Sequence, residues 1–216
     1  MDNSIYQKFK EASNKQLVEL KPSDIVLFES DEIPENYTLV APATEEVLQI
    51  IKGIVQKCPN YVRDQYWYPE TNVHLTILGN IAISTDPDMI INSMKIALQD
   101  ARISFRMIGV ASNMHAVSIS CYPQDFDIYA LRQQVRSEIH NLNDDYTVYL
   151  QEYEHMGWVN FMRYLRQPTE SELDEFRQLM HEEFGIFKPT IIQLYKNRSK
   201  TLNRNKRELV AEIALH

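Results

Sequence analysis

Short apolar segments with period-two alternation are interleaved with segments of helical periodicity from Tyr37 to the end of the chain. Five glycines and nine scattered prolines leave no flexible linker and no low-complexity tract between these segments. Such an order predicts an α+β fold with helices packed outside a sheet. We therefore predict one domain over residues 37–216, made of two related lobes. Residues 1–36 are predicted to form a short amphipathic helix and an irregular arm.

Capping residues indicate where the predicted helices begin. Thr44 and Asp86 each precede a helix, and another helix begins near Asp125. Thr169, with Glu172 three residues later, forms a capping box. The predicted strands are Tyr37–Ala41, Val73–Leu78, Ile103–Val110, Ala116–Cys121, Val148–Glu152, Trp158–Leu165, Thr190–Tyr195 and Leu209–Leu215, with a polar loop over Lys196–Arg207.

Composition and motif searches exclude several classes of protein. No apolar run approaches a membrane span, and the polar N-terminus is no secretory signal. Two cysteines, Cys58 and Cys121, cannot form a disulfide framework or a four-cysteine zinc site, so we expect a cytoplasmic protein with reduced thiols. The G-x-S-x-G, P-loop, G-x-G-x-x-G and H-E-x-x-H motifs are absent. An enzyme or a small binding module remains, and a net charge of −8 argues against a surface that coats nucleic acid.

His74 lies in an otherwise strongly apolar strand, and Thr76 falls on the same strand face. The two side chains, about 7 Å apart along the strand, can both reach one phosphate. The imidazole would exchange a proton, and the hydroxyl would donate a hydrogen bond. With an ordinary imidazole pKa, His74 is expected to be protonated, and to attract phosphate, below about pH 6. The alternative is a structural histidine that is hydrogen-bonded to a neighbouring strand.

The segment His74–Asn80 reads HLTILGN and follows the aromatic stretch Tyr66–Pro69. It resembles the first signature of the 2H phosphoesterase superfamily, which includes bacterial 2′-5′ RNA ligase-like proteins and cyclic phosphodiesterases. In element order the resemblance covers residues 37–215. It implies a two-lobed α+β fold, with antiparallel sheets around a central groove and helices outside. It also implies opening of 2′,3′-cyclic phosphates or 2′-5′ linkages by one histidine from each of two His-x-Thr/Ser motifs, without a metal or other cofactor.

The second motif departs from the pattern of that superfamily. Trp158 stands at the histidine position and Asn160 at the threonine position, while Arg163 matches an arginine often found there. The resemblance therefore implies catalytic roles for His74 and Thr76, and phosphate binding by Asn160 and Arg163. Tryptophan cannot exchange a proton, but it can stack on a nucleobase.

His155, three residues before Trp158, is the candidate for a replacement acid or base, because Gly157 would permit a bend. Two functional hypotheses stay open. The first is a weakened phosphoesterase that acts on a 2′,3′-cyclic phosphate or a 2′-5′-linked nucleotide or RNA end. The second is a non-catalytic module that binds such a phosphate-bearing end in the same groove. Neither hypothesis involves a membrane or a metal.

A basic cluster lies in the predicted loop Lys196–Arg207. Such a run is usually a solvated loop, but beside the motif strands it could hold an RNA backbone. Its members are Arg198, Lys200, Arg204, Lys206 and Arg207.

Overall fold

A computed structural model describes residues 3–58, 64–99, 102–139 and 154–215. The helices are α1 (Asn3–Glu19), α2 (Glu45–Lys57), α3 (Pro87–Leu98), α4 (Ile128–Ile139) and α5 (Glu170–Gln178). The strands are β1 (Glu32–Pro42), β2 (Tyr66–Trp67), β3 (His74–Ala82), β4 (Phe105–Ser112), β5 (Ala116–Pro123), β6 (Gly157–Arg163), β7 (Glu183–Phe187), β8 (Ile191–Ser199) and β9 (Arg207–Ala214).

Two helix starts follow the predicted capping chemistry, whereas the Thr44 side chain makes no capping hydrogen bond at the start of α2. The Asp86 carboxylate accepts a hydrogen bond from the Asp88 backbone N–H at the start of α3. At the start of α5, Thr169 and Glu172 form the predicted capping box. Arg166 also pairs with the Glu172 carboxylate, and its hydrogen bonds lower the pKa of that carboxyl to about 2. Local sequence therefore determines where these helices begin.

The described strands form one antiparallel sheet in the order β7-β4-β5-β6-β3-β1-β8-β9, with β2 added beside β6. The inner strands β3 and β6 meet at the centre of this order. They are joined there through a single register pair, Leu75 with Val159. The sheet thus consists of a β1–β3–β8–β9 half and a β4–β5–β6–β7 half, joined at what we call the seam.

Several elements differ from the sequence-based prediction. β1 begins at Glu32, inside the segment expected to be irregular, because its first residue pairs with Ser199 of β8. For the same reason β8 extends to Ser199 and shortens the predicted polar loop. The short strands β2 and β7 were not predicted. The predicted strand Val148–Glu152 lies outside the described residues.

The N-terminal segment packs against the rest of the molecule. Leu17 at the end of α1 is fully buried in the same hydrophobic core as the sheet residues. After α1, residues 25–31, which we call the strap, run along the sheet. The Val26 N–H donates to the Met114 carbonyl, and the Phe28 N–H donates to the Tyr164 carbonyl. The strap therefore lies against the β4–β5–β6 half of the sheet.

The far end of the strap is attached to the other half of the sheet. The Asp31 carboxylate accepts hydrogen bonds from the Ser199 hydroxyl at 2.7 Å and from the Thr201 hydroxyl at 2.8 Å. The Lys200 N–H donates to the Asp31 carbonyl. The strap therefore spans from one half of the sheet to the other.

Among the described helices, none is long and apolar enough to cross a membrane.

Candidate functional site

A cavity lies at the seam, where β3 and β6 part on either side of their single pair. It has a volume of about 360 Å³, and we call it the seam cavity. Thr76 of β3 lines it together with Trp158 and Asn160 of β6. The structure therefore brings these three sequence-predicted residues to one cavity. The other lining residues are Ile77, Leu78, Gly79, Asn113, Arg132, Arg136 and Glu154.

A β-bulge sets the direction of Arg163. Asn160 pairs with Ser118, whereas Arg163 pairs with Ala116, so three steps along β6 correspond to two steps along β5. Ser118 and Ala116 are two residues apart and share one face of the sheet. The extra residue of β6 thus returns Arg163 to the face that carries Asn160. In a regular strand, residues three positions apart point to opposite faces of the sheet. Asn160 and Arg163 share a face only because of this bulge.

His74 is buried beside the seam, with 9% of its surface exposed, and it does not line the seam cavity. Its Nδ1 lies 2.6 Å from the Asn72 carbonyl oxygen. Because a carbonyl only accepts, Nδ1 carries the proton and Nε2 is left as the acceptor atom. Pairing of His74 with Pro42 and of Thr76 with Val40 on β1 places both side chains on one strand face, as predicted.

Burial, together with the nearby charges of Arg207 and Arg163, lowers the pKa of His74 to about 4. The expectation that His74 is protonated below about pH 6 is therefore wrong. The imidazole stays neutral until the pH approaches 4, because its environment excludes water and is already positive. At neutral pH the ring therefore carries one fixed N–H and presents Nε2 as a hydrogen-bond acceptor.

Two arginines near His74 make no ion pair with any carboxylate of the described residues. Arg163 donates from Nε to the Tyr68 hydroxyl at 3.0 Å, and its guanidinium lies 5.5 Å from the centre of the Phe28 ring. Arg207 lies 4.5 Å above the Tyr195 ring and donates to a backbone carbonyl. The site is thus locally positive in a chain whose net charge is −8. Such unneutralised guanidinium groups are suited to bind an anion.

Arg163 lines a second cavity of about 270 Å³ beneath the strap, which we call the strap cavity. Its lining residues are Val26, Leu27, Phe28, His115, Arg163 and Lys200. Lys200 belongs to the basic cluster noted in the sequence. The predicted phosphate ligands Asn160 and Arg163 therefore share a sheet face but line neighbouring cavities.

His155 lies away from both cavity walls. Its imidazole stacks on the Tyr129 ring of α4, with ring centres 4.4 Å apart and planes 21° apart. Neither cavity has His155 among its lining residues. The candidate replacement histidine therefore does not line the cavity that contains Trp158 and Asn160.

Arg132 of α4 is a site residue that sequence reasoning missed. Its buried guanidinium donates to the carbonyls of Ile77 at 2.7 Å and Thr76 at 3.3 Å on β3. It also donates to the carbonyls of Glu154 at 2.6 Å and Met156 at 3.0 Å, just before β6. Arg132 therefore satisfies backbone acceptors on both sides of the seam.

The sequence did contain a signal for Arg132. It follows Ile128 by four residues, so it lies on the apolar face of α4 beside Leu131 and Val135. An arginine on a buried helix face needs hydrogen-bond acceptors, so its position in the sequence indicates buried polar partners. One turn later, Arg136 pairs with the Glu154 carboxylate at the same cavity.

The described residues contain no group of three or more histidine, cysteine, aspartate or glutamate side chains that could hold a metal ion. The two cysteines are buried and unpaired, and burial raises the pKa of Cys58 to about 12.

Comparisons with solved structures bear on the fold. TT0787 of Thermus thermophilus matches with a TM-score of 0.55 at 12% sequence identity, covering 83% of this chain and 97% of that one. E. coli LigT complexed with NADP+ matches with a TM-score of 0.51 at 12% identity, covering 85% and 99%. No family model and no curated protein matches the sequence. The chain therefore has the α+β fold of the 2H phosphoesterase-like proteins, as its first motif predicted.

Proposed function

We propose that this protein binds the phosphate of a nucleotide or RNA end at the seam and acts there as a slow 2H-type phosphoesterase. The substrate class is a 2′,3′-cyclic phosphate or a 2′-5′-linked end. One observation supports this most strongly: Thr76 and Asn160, from two different strands, line one cavity beside a neutral histidine. A hydroxyl and an amide N–H can both donate to phosphate oxygens.

His74 acts as the general base in this mechanism. Its Nε2 accepts a proton from a water molecule while the water oxygen forms a bond to phosphorus. The bond from phosphorus to the 2′ or 3′ oxygen breaks, and that oxygen leaves with the electron pair. Arg163 and Arg207, whose charges reach His74, offset the negative charge that gathers on the phosphoryl oxygens.

Departure of the leaving oxygen is the weak step. That oxygen must gain a proton, but the residue at the position where the resemblance implies a second histidine is Trp158, which lines the seam cavity. An indole N–H can donate a hydrogen bond but does not release its proton, so the leaving oxygen takes a proton from water. A positioned acid contributes roughly 10²–10⁴-fold to a rate, and its absence accounts for a slow enzyme.

A non-catalytic binding module is the second candidate function, and Trp158 is the observation that favours it. An indole on the cavity wall offers a flat apolar surface for a nucleobase. In that case Thr76, Asn160 and the two arginines bind the phosphate-bearing end, and His74 contributes a hydrogen bond without turnover.

Calorimetric titration tests the phosphate site that both functions share. A nucleoside 2′-monophosphate should bind to the wild type, whereas the unphosphorylated nucleoside should bind at least about tenfold more weakly, because it lacks the charge-assisted hydrogen bonds. Thr76→Val should weaken binding of the monophosphate. Thr190→Val makes the same chemical change at an exposed position that lines neither cavity and should leave binding unchanged. Equal binding of the two ligands would refute the site.

A further inference from the structure

The strap cavity combines three nitrogen-bearing side chains with one apolar wall. Arg163 comes from β6, His115 from the turn before β5, and Lys200 from the chain just after β8. The apolar side is formed by strap residues Val26, Leu27 and Phe28. No carboxylate belongs to its lining.

The two cations of this cavity are not neutralised by carboxylates of the described residues. Phe28 covers one face of the Arg163 guanidinium and Tyr68 binds its Nε, so its Nη groups are oriented without a partner among the described residues. The Lys200 backbone is held by the Asp31 carbonyl, while its ammonium makes no ion pair within the described part of the chain. One oriented guanidinium and one unpaired ammonium beside the same cavity favour an anionic ligand.

Electrostatic interactions also indicate that the three groups are close together. Burial lowers the pKa of His115, and the charges of Arg163 and Lys200 lower it further. Its imidazole is therefore neutral at pH 7 and can donate one N–H hydrogen bond. An anion placed among these groups would raise the pKa of His115, which provides a spectroscopic signal for occupancy.

We propose that the strap cavity is a second anion subsite, which binds an additional phosphate group of the ligand held at the seam. Its protein ligands are Arg163, His115 and Lys200. The preferred ligand would then carry two phosphate groups, as a nucleoside bisphosphate or the end of a short oligonucleotide does. The claim that one ligand fills both cavities rests on the proposed function, whereas the anion subsite itself does not.

The spacing of the two cavities suits such a ligand. Asn160 and Arg163 are three residues apart on one face of β6, a separation of at most about 10 Å along an extended strand. Two phosphates attached to one nucleoside, or to adjacent nucleosides, can span that distance. The Phe28 ring of the strap lies 5.5 Å from the Arg163 guanidinium, and an apolar neighbour strengthens the interaction of a cation with an anion.

Comparative calorimetry tests the proposal. A nucleoside 3′,5′-bisphosphate should bind the wild type about tenfold more tightly than the matching 3′-monophosphate, because it gains charge-assisted hydrogen bonds. Lys200→Gln should remove that difference and leave monophosphate binding unchanged. Lys57→Gln is the matched control, since Lys57 already pairs with Glu182 and lines neither cavity. Equal affinity of the two ligands for the wild type would overturn the proposal.

An NMR titration of His115 separates this subsite from the seam. Its imidazole signals are assigned by their loss in His115→Gln, and its pKa is then measured with and without inorganic pyrophosphate. The pKa should rise with pyrophosphate in the wild type and rise less in Lys200→Gln. An unchanged pKa would overturn the subsite. If pyrophosphate raised the pKa of His115 but the protein bound no nucleoside monophosphate, the anion subsite would be supported and the proposed function would be refuted.

Discussion

Leu75 of β3 pairs with Val159 of β6, and this one pair joins the two halves of the described sheet. The antiparallel register that it sets brings His74 opposite Asn160, and Thr76 opposite Trp158. Side chains of opposed residues point to the same face of a sheet. The seam therefore aligns the intact first motif with the altered second motif, although the two are far apart in the sequence.

The close approach at this pair depends on Gly157. A Cβ atom at position 157 would lie 2.8 Å from Leu75 Cδ1, and Leu75 is fully buried. Gly157→Ala should lower the free energy of unfolding by about 1–3 kcal/mol, because the core must shift to accept the methyl group. Urea denaturation measures this change.

Gly53→Ala is the matched control for the same substitution. A Cβ at Gly53, inside α2, would meet no atom within 4 Å. The change should therefore stabilise the protein by about 0.5–1 kcal/mol through helix propensity. A Gly157→Ala protein as stable as the wild type would show that the seam tolerates a wider spacing.

Restoring the second motif should raise turnover. Trp158→His with Asn160→Thr supplies the missing proton donor, and hydrolysis of a 2′,3′-cyclic nucleotide should increase by up to roughly 10²-fold. The smaller imidazole leaves space where the indole was, which will limit the gain. Rates are compared for the wild type, His74→Ala and the double variant, with a chelator present.

His74→Ala should abolish most of the wild-type turnover. Fast turnover that survives this substitution would place the reaction elsewhere. If His155→Ala instead abolished wild-type turnover, the stacked histidine beside Tyr129 would have to move during the reaction.

The buried imidazole of His74 should make the protein less stable in acid. Its pKa is about 4 in the folded protein and about 6.5 when unfolded, so between these values the unfolded state binds more protons. The stability that it contributes is complete above about pH 6.5 and is lost as the pH falls towards 4. At pH 5 the loss amounts to about 2 kcal/mol.

Denaturation of the wild type and His74→Gln at pH 7 and pH 5 measures this contribution. Comparing the two proteins cancels the titration of the other histidines. The variant should lose less stability than the wild type between the two pH values. An identical loss in both proteins would mean that His74 has an ordinary pKa.

Arg163 should contribute more than His74 to phosphate affinity at neutral pH. Arg163→Ala removes a charge-assisted hydrogen bond and should weaken binding of a nucleoside 2′-monophosphate by about ten- to a hundredfold. His74→Ala removes a neutral donor or acceptor and should cost less than about tenfold. Because His74 stays neutral, this order should hold at both pH 8 and pH 6. A reversed order at either pH would contradict these roles.

Arg132 should stabilise the seam. Arg132→Met keeps most of the buried volume but leaves four backbone carbonyls on β3 and before β6 without their donor. Each unsatisfied buried acceptor costs about 1–3 kcal/mol, so the free energy of unfolding should fall by at least about 4 kcal/mol. Arg177→Met is a comparison on α5, where the guanidinium donates to carbonyls at the end of α1 instead.

If Arg132 positions the site, Arg132→Met should also weaken phosphate binding at a temperature where the variant is folded. Arg177→Met should leave phosphate binding unchanged. If the folded Arg132→Met protein bound phosphate as tightly as the wild type does, the role of Arg132 would be purely structural.

The sequence by itself determined the local structure and the first motif. Capping chemistry at Asp86 and at Thr169 with Glu172 is complete within a few residues, so those helix starts were predictable. Period-two alternation likewise placed His74 and Thr76 on one strand face. These features depend on neighbours in the chain, which the sequence displays directly.

Tertiary structure decided which distant groups meet and how they are charged. The bulge that puts Arg163 on the sheet face of Asn160, the stacking of His155 on the Tyr129 ring, and the pairing that extends β1 back to Glu32 all depend on contacts with other elements. The low pKa of His74 has the same origin, because it arises from burial and from Arg163 and Arg207. Desolvation and electrostatic interactions act through space, so a pattern along one chain does not contain them.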